Sequence, residues 1–223
     1  MNIIRARDAE QKQQRRQTLL DAGWQLYLAN DGNLPSVAQM VARAGLAKGT
    51  FYIYFKTKEE LFVELVAIAM DDLFAKLNTY LDQPEITPGG CIDVFINAVS
   101  REAPIIQLGP MLTGVLEKNT APEIILRFKR RLVENLNHSG ARLERHFPGL
   151  SARTAARTLF RSYAVVLGIA QILPTNHAAA SSIEGEGFEP IRLSLNEDAR
   201  QIIEMLWANA IREKAADDSL QSL

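Results

Sequence analysis

Ser36-Val37-Ala38-Gln39-Met40-Val41-Ala42-Arg43-Ala44-Gly45-Leu46-Ala47-Lys48-Gly49-Thr50-Phe51-Tyr52-Ile53-Tyr54-Phe55-Lys56-Thr57-Lys58 is the stretch from which the fold of this chain is read. Ser36 with Gln39 three residues later has the form of a capping box, in which each side chain satisfies the other residue's free backbone N–H. Val37, Met40, Val41 and Ala44 follow at the spacing of one buried helical stripe, and Gly45 suits a left-handed stop. A second short helix is expected from about Ala47 to Tyr54. Two short helices joined by a tight turn form a helix-turn-helix, whose second member enters the major groove of DNA.

The second helix divides into two faces. Phe51 and Phe55 lie one turn apart on one side; Gly49 and Ile53 lie opposite, flanked by Thr50 and Tyr52. Gly49 allows close backbone approach, Lys48 sits where free N–H groups already favour phosphate, and the Tyr52 hydroxyl can donate to a phosphate oxygen. Ile53 offers apolar contact suited to a thymine methyl group. Lys56 and Lys58 add charge just beyond.

Outward from this stretch the apolar residues recur at three- and four-residue intervals, with no run of period two, so the chain is expected to be all-α. A first helix is expected over about Lys12 to Ala29, with Leu20, Trp24 and Leu28 in line and Leu19, Gly23, Leu26 and Tyr27 beside them. Thr57 with Glu60 opens a fourth helix reaching about Tyr80. Gln83 to Gly90 is expected to break the chain. Helices are then expected from Cys91 to about Glu102, from Ile105 to Lys118 with a weak point at Gly109-Pro110, from Pro122-Glu123 to Phe147, from Ser151 to Leu173, and from Asn196 onward. Pro174 to Leu195 is a long connection of the kind that is usually functional or mobile.

Composition narrows the function. The chain has 223 residues, 47% of them apolar and 23% charged, as expected of a packed globular protein rather than a disordered one. Cys91 is the lone cysteine, which excludes an intrachain disulfide and a cysteine-built metal centre. The polar N-terminus lacks a secretory apolar stretch and the longest apolar run, Tyr163 to Ala170, is too short to span a bilayer, so a cytoplasmic protein without membrane attachment is expected. A net charge of −1 hides a division: residues 1–60 carry nine basic and six acidic side chains, and the remainder is acidic. That arrangement suits a protein of which one end meets phosphate. Arg5, Arg7, Lys12, Arg15 and Arg16 are either an arm following the DNA backbone or a solvated tail.

Catalysis has no visible support. His138 and His146 are eight residues apart, His177 lies in the long connection, and neither a metal-binding spacing, a Gly-rich phosphate loop nor a nucleophile with its base accompanies them. No catalytic residue, no metal and no cofactor is expected.

Gly45 through Leu61 resembles the signature of the TetR (tetracycline repressor) family of bacterial regulators, over roughly Leu19 to Leu65. The resemblance implies DNA contacts at Ser36, Lys48, Gly49, Thr50, Tyr52, Tyr54 and Lys58, to which the reading of the helix itself adds Ile53. It also implies an N-terminal helix-turn-helix DNA-binding domain, residues 1–57, joined by a long helix to a helical ligand-binding and dimerisation domain, residues 58–223. Four features depart from the family pattern: a short loop from Gly32 to Ser36, Val41, Ala47 and Ile53. The last two bear on which DNA sequence is read.

The expected function is a homodimeric, ligand-responsive regulator, a repressor released from its double-stranded operator by a largely apolar small-molecule effector. By the resemblance, the last two helices form the dimer interface, with Ala156, Phe160, Tyr163, Leu167, Ala170, Ile203, Leu206, Trp207 and Ala210 serving either that interface or the monomer's core. Candidate ligand contacts are Phe95, Gln107, Met111, Phe128 and Tyr163. The alternative is an all-helical small-molecule-binding protein or enzyme without DNA binding.

Overall fold

The computed structural model describes residues 3–99, 103–173, 185 and 187–221, with side chains described from residue 7 to residue 212 within those ranges. Every regular element among them is helical. The helices are α1 (Ile3–Ala29), α2 (Val37–Ala44), α3 (Lys48–Tyr54), α4 (Lys58–Tyr80), α5 (Pro88–Ala98), α6 (Pro104–Leu108), α7 (Pro122–His146), α8 (Ala152–Ile172) and α9 (Leu195–Gln221). Two compact units emerge, and neither is contiguous in sequence. Met1–Ile68 groups with Gln107–Lys129; Ala69–Ile106 groups with Arg130–Leu223.

In the first unit α1 supplies the wall of the core with Leu19, Leu20, Ala22 and Tyr27, all buried. Leu19, Leu20 and Tyr27 are buried as expected, but the stripe is not centred on the expected Leu20-Trp24-Leu28 line: Leu28 is exposed, and Trp24 is half-buried, stacked on Tyr27 at 5.4 Å. Helix α1 also begins at Ile3 rather than near Lys12. Its first four turns have no apolar stripe, but Ala, Glu, Gln, Lys and Arg are strong helix formers and extend it without one. The Arg5 side chain lies outside the described residues.

Helix α2 starts and stops as its sequence requires. Ser36 Oγ accepts from the Gln39 N–H at 3.3 Å, and Gln39 Oε1 accepts from the Ser36 N–H at 2.8 Å. Gly45 sits at φ 65°, a left-handed conformation that a side chain would strain, and its N–H closes the helix on the Ala42 and Val41 carbonyls. Thr57 caps α4 by accepting from the Glu60 N–H at 3.1 Å. Glu60 does not return the bond to Thr57; its carboxylate accepts from the Lys56 N–H at 2.6 Å, one residue earlier than expected.

In the second unit α7 is joined by polar contacts to α4 and to Asp82 just beyond its end. Asp71 accepts from Arg131 and from Asn135, Asn78 Nδ2 donates to the buried Ser139 hydroxyl at 3.1 Å, and Arg142 pairs with Asp82. Helix α7 meets α8 at Gly140, where an added Cβ would stand 2.5 Å from the Ala152 carbonyl oxygen. Helices α8 and α9 pack together through Ala155, Leu159, Val166, Ala199, Ile203 and Trp207, all buried. Trp207 Nε1 donates to Ser162 Oγ at 3.3 Å, and Ser162 donates to the Thr158 carbonyl at 2.8 Å.

Three expected boundaries are corrected. Helix α5 starts at Pro88, not Cys91, because proline is preorganised for a first turn and the Thr87 hydroxyl accepts from the Gly90 N–H. It ends at Ala98; the expected end at Glu102 lies outside the described residues. The helix expected from Ile105 to Lys118 is broken into α6, a 3₁₀ turn at Gly109–Met111, a π-helical stretch at Leu112–Leu116 and another 3₁₀ turn at Glu117–Asn119. Pro110 provides no N–H for an α-helical bond, so the backbone changes its hydrogen-bonding step there. Of the Pro174-to-Leu195 connection, residues 174–184 and 186, with His177, lie outside the described residues. The described part includes a 3₁₀ turn at Glu189–Ile191.

Candidate nucleic-acid interface

Helix α3 has only seven residues, too few to be stable alone, and it is held by the side it buries. Phe51 is 0% exposed and Phe55 3%, with ring centroids 5.7 Å apart. The other side is open: Tyr52 is 44% exposed and Ile53 67%. Ile53 thus leaves an apolar side chain, and Tyr52 a hydroxyl, on the open side of a two-turn helix. The aromatic run thus serves two surfaces, core through Phe51 and Phe55, and solvent through Tyr52 and Ile53.

The remaining expected contacts surround this face. Lys48 and Gly49, in the first turn, are exposed, and a Cβ on Gly49 would meet nothing within 4 Å, so the backbone there lies open. Thr50, Tyr54 and Lys58 are half-buried, and Ser36, at the start of α2, is exposed. Lys48, Lys56 and Lys58 make no ion pair among the described residues. Their charges are therefore available to an anion. Arg7, Lys12 and Arg15 are exposed on α1, as part of a regular helix rather than a loose arm.

Three features of this unit are not legible as functional in the sequence. Tyr27 donates from its hydroxyl to the Gln107 carbonyl at 3.0 Å, across eighty positions, and burial holds its pKa above the ordinary tyrosine value. Thr57, besides capping α4, donates to the Asn119 carbonyl at 3.1 Å. The stretch from Gln107 to Asn119 is therefore fastened at both ends, to α1 through Tyr27 and to the start of α4 through Thr57. The third is Arg16, half-buried, which pairs with Glu64 at 2.9 Å and lies over the Phe55 ring. Long-range pairs such as these leave no periodic trace in a sequence.

The expected ligand contacts fall in different units. Gln107, Met111 and Phe128 belong to the first; Phe95 and Tyr163 belong to the second. Phe95 and Phe128 are buried, and Gln107, Met111 and Tyr163 are half-buried. The Tyr163 hydroxyl is buried without a hydrogen-bond partner among the described residues, and burial pushes its pKa up to about 12. In the second unit a groove of about 510 Å³ between α4 and α5 is lined by Ala75, Lys76, Thr79, Tyr80, Gln83, Val94, Asn97 and Ala98. None of the five expected residues lines it.

The surface expected for dimerisation separates into two roles. Ala156, Ile203, Trp207 and Ala210 are buried within the unit. Phe160 is 48% exposed, and Tyr163, Leu167, Ala170 and Leu206 are half-buried. Exposed Ile172, Ile202 and Met205 enlarge the apolar surface of α8 and α9. Among the described residues no group of three or more His, Cys, Asp or Glu side chains is placed to hold a metal ion, and no helix is long and apolar enough to cross a membrane.

Comparison with known proteins divides the chain near residue 65. Residues 19–65 match the model of bacterial regulatory proteins of the tetR family, and residues 65–211 match a tetracyclin repressor-like C-terminal domain. The nucleoid occlusion factor SlmA of Idiomarina loihiensis is 28% identical over 83 residues, 37% of this chain. That match spans 42% of SlmA, less than half of its length. Among solved structures, the fatty acid degradation regulator FadR of Bacillus halodurans superposes with a TM-score of 0.55 at 18% identity, covering 86% of this chain and 94% of that one. The TetR family transcriptional regulator PfmR of Thermus thermophilus gives 0.50 at 20%, covering 85% and 93%. At these identities the superpositions show a shared fold.

Proposed function

The chain belongs to the tetR family of bacterial regulatory proteins, and from that premise we propose that it acts as a homodimeric repressor, released from a duplex operator by a largely apolar small molecule. Family membership makes it a DNA-binding transcriptional regulator and not an enzyme, which sets aside the alternative of a helical enzyme. Residues 1–57, with Lys58 at the boundary, carry the DNA contacts in this reading, and residues 58–223 the dimer and effector functions.

The observation that carries the proposal is the two-sided α3. Its aromatic side fixes it in the core, while Lys48, Gly49, Thr50, Tyr52, Ile53 and Tyr54, with Ser36 and Lys58, are the groups proposed to meet DNA. The lysines and the Tyr52 hydroxyl address phosphate and set the register; Ile53 and Thr50 address base edges. Two such helices on a two-fold axis would read half-sites roughly 34–36 Å apart. Support for the dimer comes from Phe160, Ile172, Ile202 and Met205, large apolar side chains exposed on two helices that pack together.

Support for switching comes from Gln107–Lys129, which shares a compact unit with the DNA-binding helices and is joined through Tyr27 and Thr57 to α1 and α4, the helices on either side of them in the chain. An effector acting on this segment moves the equilibrium only by binding the DNA-competent and released forms with different affinity. Gln107, Met111 and Phe128 are the proposed effector contacts in this segment, Phe95 and Tyr163 are proposed contacts within the second unit, and the protein is proposed to reside in the cytoplasm.

The test is an anisotropy titration against pooled random duplexes at two salt concentrations, followed by selection of the duplex that the protein retains. Affinity that falls steeply with salt, with one sequence enriched, supports the reading. Absence of salt-dependent association refutes it.

A further inference from the structure

Arg16 on α1 joins two elements at once. Its Nη2 lies 2.9 Å from Glu64 Oε1 on α4, and its guanidinium carbon stands 5.3 Å from the centroid of the Phe55 ring, at the end of α3. About a quarter of its side chain is exposed. All three residues belong to the first compact unit.

Phe55 is the C-terminal cap of α3, and its N–H donates to the Phe51 carbonyl at 2.9 Å. The Phe55 and Phe51 rings are tilted together, and Tyr52 meets Phe51 edge-on at 5.5 Å. A line of contacts therefore runs from the Arg16 guanidinium through Phe55 and Phe51 to Tyr52 on the exposed side. A cation over an aromatic face is attracted by the ring's negative centre, and the attraction grows where water is displaced. Guanidinium is also planar and forked, so it can lie over a ring while its edge meets a carboxylate; an ammonium group cannot do both.

We propose that Arg16 is a positioning residue for DNA recognition, setting the angle of α3 against α1 and α4 by joining Phe55 to Glu64. Its charge is spent within the protein, so it does not act as a phosphate contact. The inference rests on DNA being read through α3, and it adds the device that holds α3 at its reading angle.

The experiment uses the full chain and a duplex selected by the wild-type protein from a random-sequence pool. Arg16→Gln is expected to weaken binding to that duplex by about tenfold or more, the scale of one desolvated cation–π contact. Binding to an unselected duplex should change by less than about threefold, and the slope of affinity against salt should stay as in the wild type, because no phosphate contact is lost. Arg16→Lys keeps the charge without the plane and should recover little. Glu64→Gln, which keeps shape and loses the pair, should fall between.

A salt slope reduced by about one unit per protomer, with full recovery in Arg16→Lys, would make Arg16 a phosphate contact and overturn the proposal. Selected-duplex affinity unchanged in both Arg16→Gln and Glu64→Gln would overturn it as well. Should Arg16→Gln fail to fold by circular dichroism, Arg16→Lys and Glu64→Gln carry the same test. Failure of the wild type itself to select any duplex strikes DNA reading through α3, an outcome distinct from the failure of Arg16.

Discussion

Replacing Tyr52 with phenylalanine removes one oxygen from the proposed DNA-facing side of α3 and nothing else. The ring's edge-on contact with Phe51 at 5.5 Å survives, and at 44% exposure the hydroxyl gives up no buried bond within the protein. Stability should therefore stay within about 0.5 kcal/mol of wild type, as for exposed substitutions generally. A hydrogen bond to a charged phosphate is worth roughly 1.5–3 kcal/mol. A dimer makes the contact twice, so the lower bound is about 3 kcal/mol, or roughly a hundredfold in dissociation constant. The assay is anisotropy with the selected duplex at fixed salt, alongside thermal melting. An affinity within about twofold of wild type would mean that Tyr52 does not touch phosphate and that the face is wrongly assigned; a hundredfold loss accompanied by a large fall in Tm would mean that packing, not contact, was removed.

Four further outcomes follow from the same structure. Thr57→Ala removes the cap of α4 and the bond to the Asn119 carbonyl together; a loss of about 1 kcal/mol is expected from the cap alone, and denaturant unfolding that shows no loss would remove Thr57 from the cap. Met205→Glu combined with Phe160→Glu places charge on the exposed apolar surface of α8 and α9 and should give a folded monomer in sedimentation; an undisturbed dimer would place the interface elsewhere. Tyr163→Phe deletes a buried hydroxyl that has no partner among the described residues, so Tm should hold or rise, and a marked fall would refute the reading that this hydroxyl is unbonded. Burial pushes the Cys91 thiol up to about 12 from 9.0, so above pH 9 the unfolded chain releases a proton that the folded chain keeps. Stability should fall from about pH 9 toward 12 and be unaffected by this group below that range, with a shallower fall in Cys91→Ala; parallel pH profiles would refute the assignment.

The parts of the fold that can be read from the sequence are those fixed by neighbours a few residues away. Ser36 with Gln39, Gly45, and the alternate sides of α3 are set within one or two turns, and the structure places each as its spacing requires. Local chemistry also misleads in one direction. A helix is expected only where an apolar stripe can be traced, so the polar start of α1 goes unseen although its residues favour helix on their own. The weak point at Gly109-Pro110 is visible, but its effect on the following ten residues is not, since a π-helical stretch has no residue signature of its own. The ties of Tyr27 to residue 107, Thr57 to residue 119 and Arg16 to Phe55 depend on the tertiary fold, and no window on the sequence contains both partners.

The way residues 107–129 return to the helix-turn-helix has a practical meaning for anyone who cuts or grafts this protein. A fragment ending at residue 68 keeps the donors of Tyr27 and Thr57 and discards both carbonyls that receive them. Chimeras that transplant the first 68 residues onto a foreign body would inherit the same vacancies. Exchange of operator specificity between relatives should accordingly succeed when the later segment travels with the head, and lose stability when it is left behind.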